Sequence, residues 1–222
     1  MARTLESKRR GPAPGEARSV VVFLHGYGAD GADLLGLADP LAEHMPVTAF
    51  HAPDAPEQSV VNPMGFQWFP IPWLDGSDPA AADEAMDRAV ADLDAYLDAV
   101  LAEERLPADR MVVVGFSQGT MMALHVGLRR ETEVAGIVGF SGRLLRPEAL
   151  EDEISVRPPV LLIHGDRDDV VPPASLPAAA EALQAAGVDV FAHVSKGTAH
   201  GIAPDGLSVA LAFMRDRLGL ES

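Results

Sequence analysis

The sequence predicts an α/β domain, a doubly wound and mostly parallel sheet with helices on both faces and no large lid domain. Three observations predict it. Short runs that are apolar throughout, such as Val20-Val21-Val22-Phe23-Leu24 and Met111-Val112-Val113-Val114, read as strands buried on both faces. The stretches between them carry apolar residues at helical spacing. A length of 222 residues with 48% hydrophobic content supplies one sizeable core, so residues 1–222 read as a single domain.

The elements follow in order. Residues 1–18 form a short N-terminal segment, either an edge strand or flexible. The strand Val20–Leu24 ends at Gly26 and Gly28, which punctuate a turn. Leu34, Leu37 and Leu41 place a helix over Asp33–His44, and Val47–His51 is a short strand. Residues 52–79 are proline-rich, show no regular pattern, and hold both tryptophans, Trp68 and Trp73, with Met64, Phe66 and Phe69. Loops of that length in compact domains are functional or disordered. The aromatic content favours a segment folded over a site, so these five residues are the expected substrate-binding wall. A long amphipathic helix spans Asp83–Glu104, with Met86, Val90, Leu93, Leu97 and Leu101 on one stripe. Then come strand Met111–Val114, helix Gln118–Arg130, strand Val134–Phe140 and strand Val160–Ile163. Helix Leu176–Ala186 stops at Gly187, followed by strand Val188–Val194 and helix Asp205–Leu218.

Composition removes several function classes. With no cysteine there is no disulfide framework, thiolate nucleophile or thiolate metal site. A net charge of −16 argues against nucleic acid and anionic membrane surfaces as partners, and for a substrate neutral or cationic near the site unless local charge differs. No apolar run reaches membrane-span length, and the first residues carry no apolar leader core. The expectation is a cytoplasmic protein without stable membrane insertion.

The strongest local feature is Gly115-Phe116-Ser117-Gln118-Gly119 between a strand and a helix. G-x-S-x-G in that context forms a nucleophile elbow, the signature turn of the α/β-hydrolase fold: glycines permit crowding while a strained serine projects above the sheet. The helix start behind it favours developing negative charge. That fold takes its triad in the order serine, acid, histidine. Of seven histidines, only His193 and His200 come late enough. His193 lies within a strand, facing the core or a sheet face. His200 follows that strand in Gly197-Thr198-Ala199-His200-Gly201 and is the candidate base. The acid lies in His164-Gly165-Asp166-Arg167-Asp168-Asp169-Val170-Val171-Pro172, where three aspartates compete on one loop. Asp166 can instead brace the turn and Asp169 can be a surface charge.

Other candidates carry less. Gly139-Phe140-Ser141-Gly142 repeats part of the elbow pattern, but Arg143 stands where its second glycine belongs, so Ser141 reads as lining the site. His125 reads as packing, and His44 and His51 as surface or strand-end residues. The turn His25-Gly26-Tyr27-Gly28 has neither G-x-G-x-x-G nor a Walker lysine, which disfavours a nucleotide site.

From Val20 onward the chain resembles the phospholipase/carboxylesterase family, which includes the acyl-protein thioesterases. Leu24-His25-Gly26-Tyr27-Gly28, the elbow, Gln67-Trp68-Phe69, Phe140-Ser141-Gly142, the His164–Pro172 stretch and Ala199-His200-Gly201 occur in the family's order. The resemblance implies an acid at Asp168, through the pattern H-G-x-x-D-x-x-V-P. It implies an oxyanion hole from the backbone N–H groups of Gln118 and Tyr27. Tyr27 departs from a leucine common in the family, which bears on the acyl pocket, and the N-terminal segment matches little. Homodimerisation is expected from the resemblance alone.

The implied reaction is two-step ester hydrolysis through an acyl-enzyme, with no metal or organic cofactor. Activity is expected to fall in acid, because the base must be neutral. The expected substrates are small to medium acyl or aryl esters; the resemblance adds lysophospholipids and protein thioesters. Lactonase, peptidase and perhydrolase chemistry share such a triad. A non-catalytic ligand-binding module on the same fold is the alternative from a different class.

Overall fold

A computed structural model of the chain describes residues 2–220; Met1, Glu221 and Ser222 lie outside the described residues. Among the described residues the strands are β1 (Ser7–Arg10), β2 (Ser19–Leu24), β3 (Thr48–Pro53), β4 (Glu57–Gln58), β5 (Phe66–Gln67), β6 (Met111–Phe116), β7 (Gly136–Phe140), β8 (Val160–Gly165) and β9 (Val190–Ser195). The helices are α1 (Gly31–Leu35), α2 (Ala38–Ala42), α3 (Pro72–Asp75), α4 (Pro79–Glu104), α5 (Gln118–Gly127), α6 (Leu150–Glu153), α7 (Ser175–Ala185) and α8 (Pro204–Arg217). Seven strands make one sheet in the order β1-β3-β2-β6-β7-β8-β9. β1 is antiparallel to β3, and every other pairing in this sheet is parallel.

The alternation of side chains across a strand explains why the central runs contain no polar residue. Val20, Val22, Leu24, Met111 and Val113 enter the core on one face, which α4, α5 and α7 cover. Val21, Phe23, Val112 and Val114 enter the core on the other, beneath α1, α2 and α8. Phe23 and Phe50 stack there on adjacent strands, with ring centroids 5.9 Å apart. The long helix starts at Asp78, whose carboxylate accepts from the Ala81 N–H, and Pro79 occupies its first position. Among the described residues no helix is long and apolar enough to cross a membrane.

Four differences from the sequence expectations have physical causes. The helix expected over Asp33–His44 is two short helices, α1 and α2, broken at Gly36. Residues 52–79 contain a two-strand pairing, β4 with β5, and the short α3. β9 is buried only in part, because it ends the sheet and one side of its ladder has no neighbour. His51 is not a surface residue: it lies buried in β3, and its Nε2 is 2.7 Å from Glu104 Oε1. The same carboxylate accepts from Arg9 Nε at 2.6 Å, tying β1 to the end of α4. A buried carboxylate needs such partners.

Candidate active site

The carboxyl ends of the parallel strands gather the candidate residues, as open parallel sheets do. Ser117 sits between β6 and α5 with φ 54° and ψ −115°, a conformation costly for a residue with a Cβ. Packing enforces it. A Cβ at Gly115 would lie 2.4 Å from the Gly119 carbonyl, and one at Gly119 would lie 1.9 Å from the Leu24 carbonyl oxygen. Both glycines are therefore required by close approach of backbone to backbone. The Ser117 N–H donates to the Phe140 carbonyl at 2.8 Å, which fixes the turn against β7.

Asp168 stands at the end of β8, buried. Its Oδ1 accepts from the Val170 and Val171 N–H groups, each at 2.9 Å. Its Oδ2 lies 2.8 Å from His200 Nδ1 and 3.2 Å from His164 Nε2. Burial alone would raise the Asp168 pKa, but the hydrogen bonds from His200 and the two backbone amides outweigh it and hold the carboxyl below its usual value. His164 Nε2 is also 2.9 Å from the Val171 carbonyl oxygen, which can only accept, so the proton sits on Nε2. Asp166 is exposed, and its Oδ1 accepts from the Gly197 N–H at 2.6 Å, bracing the loop that carries His200. Asp169 is exposed.

His200 stacks at a tilt on Phe116, with ring centroids 4.9 Å apart. It shares one cavity of about 420 Å³ with Ser117. No hydrogen bond joins Ser117 to His200 among the described residues. Catalytic contacts of this kind commonly tighten only when substrate binds. His193, the other late histidine, pairs with Asp205 at 2.7 Å on the partly exposed β9.

The turn after β2 faces the same cavity through Gly26, Tyr27 and Ala29. The Gln118 N–H is the first of α5, where a helix provides no internal acceptor. Tyr27 lies in a turn whose next two amides are engaged, Gly28 with the Phe66 carbonyl and Ala29 with the Gly26 carbonyl. The Tyr27 hydroxyl donates to Asp75 at 3.0 Å; burial and this carboxylate push its pKa up to about 12, so it is neutral at pH 7.

The aromatic segment is fastened to this site by Gln118. Its Oε1 accepts from the Trp68 N–H at 3.0 Å, and its Nε2 donates to the Phe69 carbonyl at 2.8 Å. Of the five residues expected as substrate wall, Trp73 alone lines the cavity. Trp68 is fully buried, its Nε1–H donating to the His25 carbonyl at 3.0 Å. Met64 is exposed on the loop tip, Phe66 bridges to Ala29, and Phe69 lines a neighbouring cleft of about 210 Å³. The cavity is otherwise lined by Ile71, Leu74, Met121 and residues 170–172, with Arg143 and Asp33 as charged members. Arg143 has no sequence signal beyond its place after β7, and Asp33 none beyond its place in the first turn of α1. Ser141 does not line the cavity. It is buried at φ 49°, its hydroxyl without a partner among the described residues.

A larger cavity of about 660 Å³ opens at the amino-terminal ends of the strands, around Arg18, His44 and Arg110, and no candidate catalytic residue lines it.

Comparison with known proteins identifies the family and the fold. Residues 12–218 match the family model described as phospholipase/carboxylesterase. The chain is 30% identical over 218 residues to acyl-protein thioesterase 1 of Saccharomyces cerevisiae, covering 91% of this chain and 94% of the relative. It is 28% identical over 209 residues to acyl-protein thioesterase 1 homolog 1 of Dictyostelium discoideum, covering 90% and 91%. Among solved structures, it superposes on esterase PE8 with a TM-score of 0.91 at 43% identity, covering 97% of this chain and 100% of the other. With a Gly-x-Ser-x-Gly elbow, parallel sheet and near-complete coverage by these relatives, the chain belongs to the phospholipase/carboxylesterase family and is a hydrolase of the α/β-hydrolase fold.

Proposed function

We propose that the protein is a serine carboxylesterase acting on small to medium acyl or aryl esters, with Ser117 as nucleophile, His200 as base and Asp168 as acid. The observation that carries this reading is the Asp168–His200 contact of 2.8 Å beside the strained Ser117, with serine and histidine on one cavity. His200 Nδ1–H donates to Asp168, leaving Nε2 free to take the serine proton as the hydroxyl attacks the acyl carbon. The C–O π bond opens onto oxygen, and the backbone N–H groups of Tyr27 and Gln118 receive that charge. His200 then protonates the departing alcohol, and water repeats the cycle on the acyl-enzyme.

A cavity of about 420 Å³ with mainly apolar walls suits a short or medium chain more than a bulky lipid. Thioesterase activity on the same machinery is the second reading, favoured by relatives named acyl-protein thioesterase. A homodimer and a cytoplasmic location belong to the same proposal, on the resemblance to the family alone.

Hydrolysis of p-nitrophenyl esters from acetate to palmitate, with acyl thioesters alongside, tests it. We expect a maximum at short to medium chains in the wild type and turnover reduced to background in Ser117→Ala, whose circular dichroism stays unchanged. Full activity in that variant would remove Ser117 from the reaction.

A further inference from the structure

In a chain of net charge −16, the long-range field repels anions, so an anionic group is accommodated only where a local cation holds it. The wall of the Ser117 cavity contains such a cation. Arg143 follows β7, and its guanidinium lies 5.0 Å from the centroid of the Trp73 ring. Trp73 is 74% exposed, so the stack stands at the cavity mouth and not in the core. A cation on the face of an indole is held in place without losing its charge.

Arg143 has no carboxylate partner among the described residues. Its neighbour Arg146 shows what a structural arginine does in this region: it engages Asp83 and Asp87 of α4 at 3.3 and 3.1 Å. Arg129 and Arg130 are likewise paired with carboxylates. Arg143 is thus a guanidinium held on an indole face with its donors available, and among the described residues the wall also carries one carboxylate side chain, Asp33 on α1.

Building on the esterase reading, we propose that Arg143 receives a free carboxylate at the far end of the acyl chain, making half-esters of dicarboxylic acids a substrate class of this enzyme. In this proposal the leaving oxygen lies beside His200 and the acyl chain runs along the wall of the same cavity to Trp73 and Arg143. A guanidinium meets a carboxylate through two parallel N–H donors, and no carboxylate of the described residues occupies those of Arg143. Asp33 opposes the same group electrostatically and limits the preference.

The test compares monoethyl glutarate with ethyl valerate, which share chain length and leaving group and differ in the terminal carboxylate, by acid release in a pH-stat. The readout is the ratio of their kcat/KM values in wild type, Arg143→Gln and Asp33→Asn. We expect the ratio to fall about tenfold in Arg143→Gln, the size of one charge-assisted hydrogen-bonded pair at a partly solvated site. It should rise in Asp33→Asn and decline with added salt. A ratio that moves less than twofold in Arg143→Gln, or that falls in Asp33→Asn, overturns the assignment. Ethyl valerate turnover by the wild type separates the two levels: valerate cleaved with an unmoved ratio defeats this inference alone. Absence of turnover of both esters defeats the esterase reading and this inference with it.

Discussion

Replacing Asp168 by asparagine changes one atom, and the four contacts of that carboxylate determine the consequence. Oδ1 accepts from two backbone N–H groups at 2.9 Å, so the asparagine oxygen stays there. The new amide NH2 then occupies the place of Oδ2, facing His200 Nδ1 and His164 Nε2. His164 Nε2 keeps its proton for Val171, so a donor faces a donor there. His200 can relieve its own conflict only by moving the proton to Nε2, where it can no longer accept from serine. A triad histidine in the wrong tautomer costs about 10⁴ in kcat, roughly 5 kcal/mol of transition-state stabilisation. Loss of hydrogen bonds to a buried charge adds about 3 kcal/mol of instability, tolerable within the usual 5–15 kcal/mol. The assay is kcat/KM on a short-chain ester, with thermal melting on the same samples, for Asp168→Asn, Asp166→Asn and Asp169→Asn. Asp169→Asn should be silent, and Asp166→Asn should show only the modest loss of its bond to Gly197. Activity of Asp168→Asn above a tenth of wild type, or an equal loss in Asp166→Asn, would mean that Asp168 is not the group that orients His200.

Burial leads to two more expected outcomes. His125 is buried in α5, and burial together with the Arg129 and Arg146 cations lowers its pKa from 6.5 to about 4. The unfolded chain therefore binds more protons between those values, so stability rests on neutral His125 above pH 6.5 and is lost progressively down to about pH 4. The loss is on the order of 3 kcal/mol, and melting curves of His125→Gln should be flatter across that window; an identical slope would contradict it. Trp68→Ala should act as a core truncation costing about 3–5 kcal/mol, whereas Trp73→Ala should leave the melting temperature nearly unchanged and shift the acyl-length profile. A shifted profile from Trp68→Ala without loss of stability would reverse these assignments.

Sequence legibility tracked how local the physics was. β2, β6 and β8 were readable because burial on both faces forces apolar runs, and the elbow because its glycines answer to contacts within one strand–turn–helix unit. β4 and β5 are two residues each, too short to produce a period. The break at Gly36 hides in a stripe of leucines that serves α1 and α2 alike. His51 and Glu104 meet across 53 residues, so the sequence around His51 carries no trace of its partner. The choice among three loop aspartates was open to residue-level reasoning and closed only by family resemblance, since it depends on which carboxylate turns inward. Of the five residues singled out in the aromatic segment, Trp73 alone lines the Ser117 cavity. Aromatic content marked residues 52–79 as important, but Trp68 is spent on anchoring the segment to His25 and Gln118, while the wall draws on Arg143 and Met121 from elsewhere in the chain.

In the proposed mechanism Ser117 is a nucleophile activated by His200. Labelling the intact protein with a fluorophosphonate and mapping the adduct by peptide mass tests it most directly. A single adduct on Ser117 is expected, formed at wild-type rate with Asp169→Asn and slowed by orders of magnitude with His200→Ala. An adduct on Ser141 or another serine, or labelling of Ser117 at the same rate without His200, would contradict it.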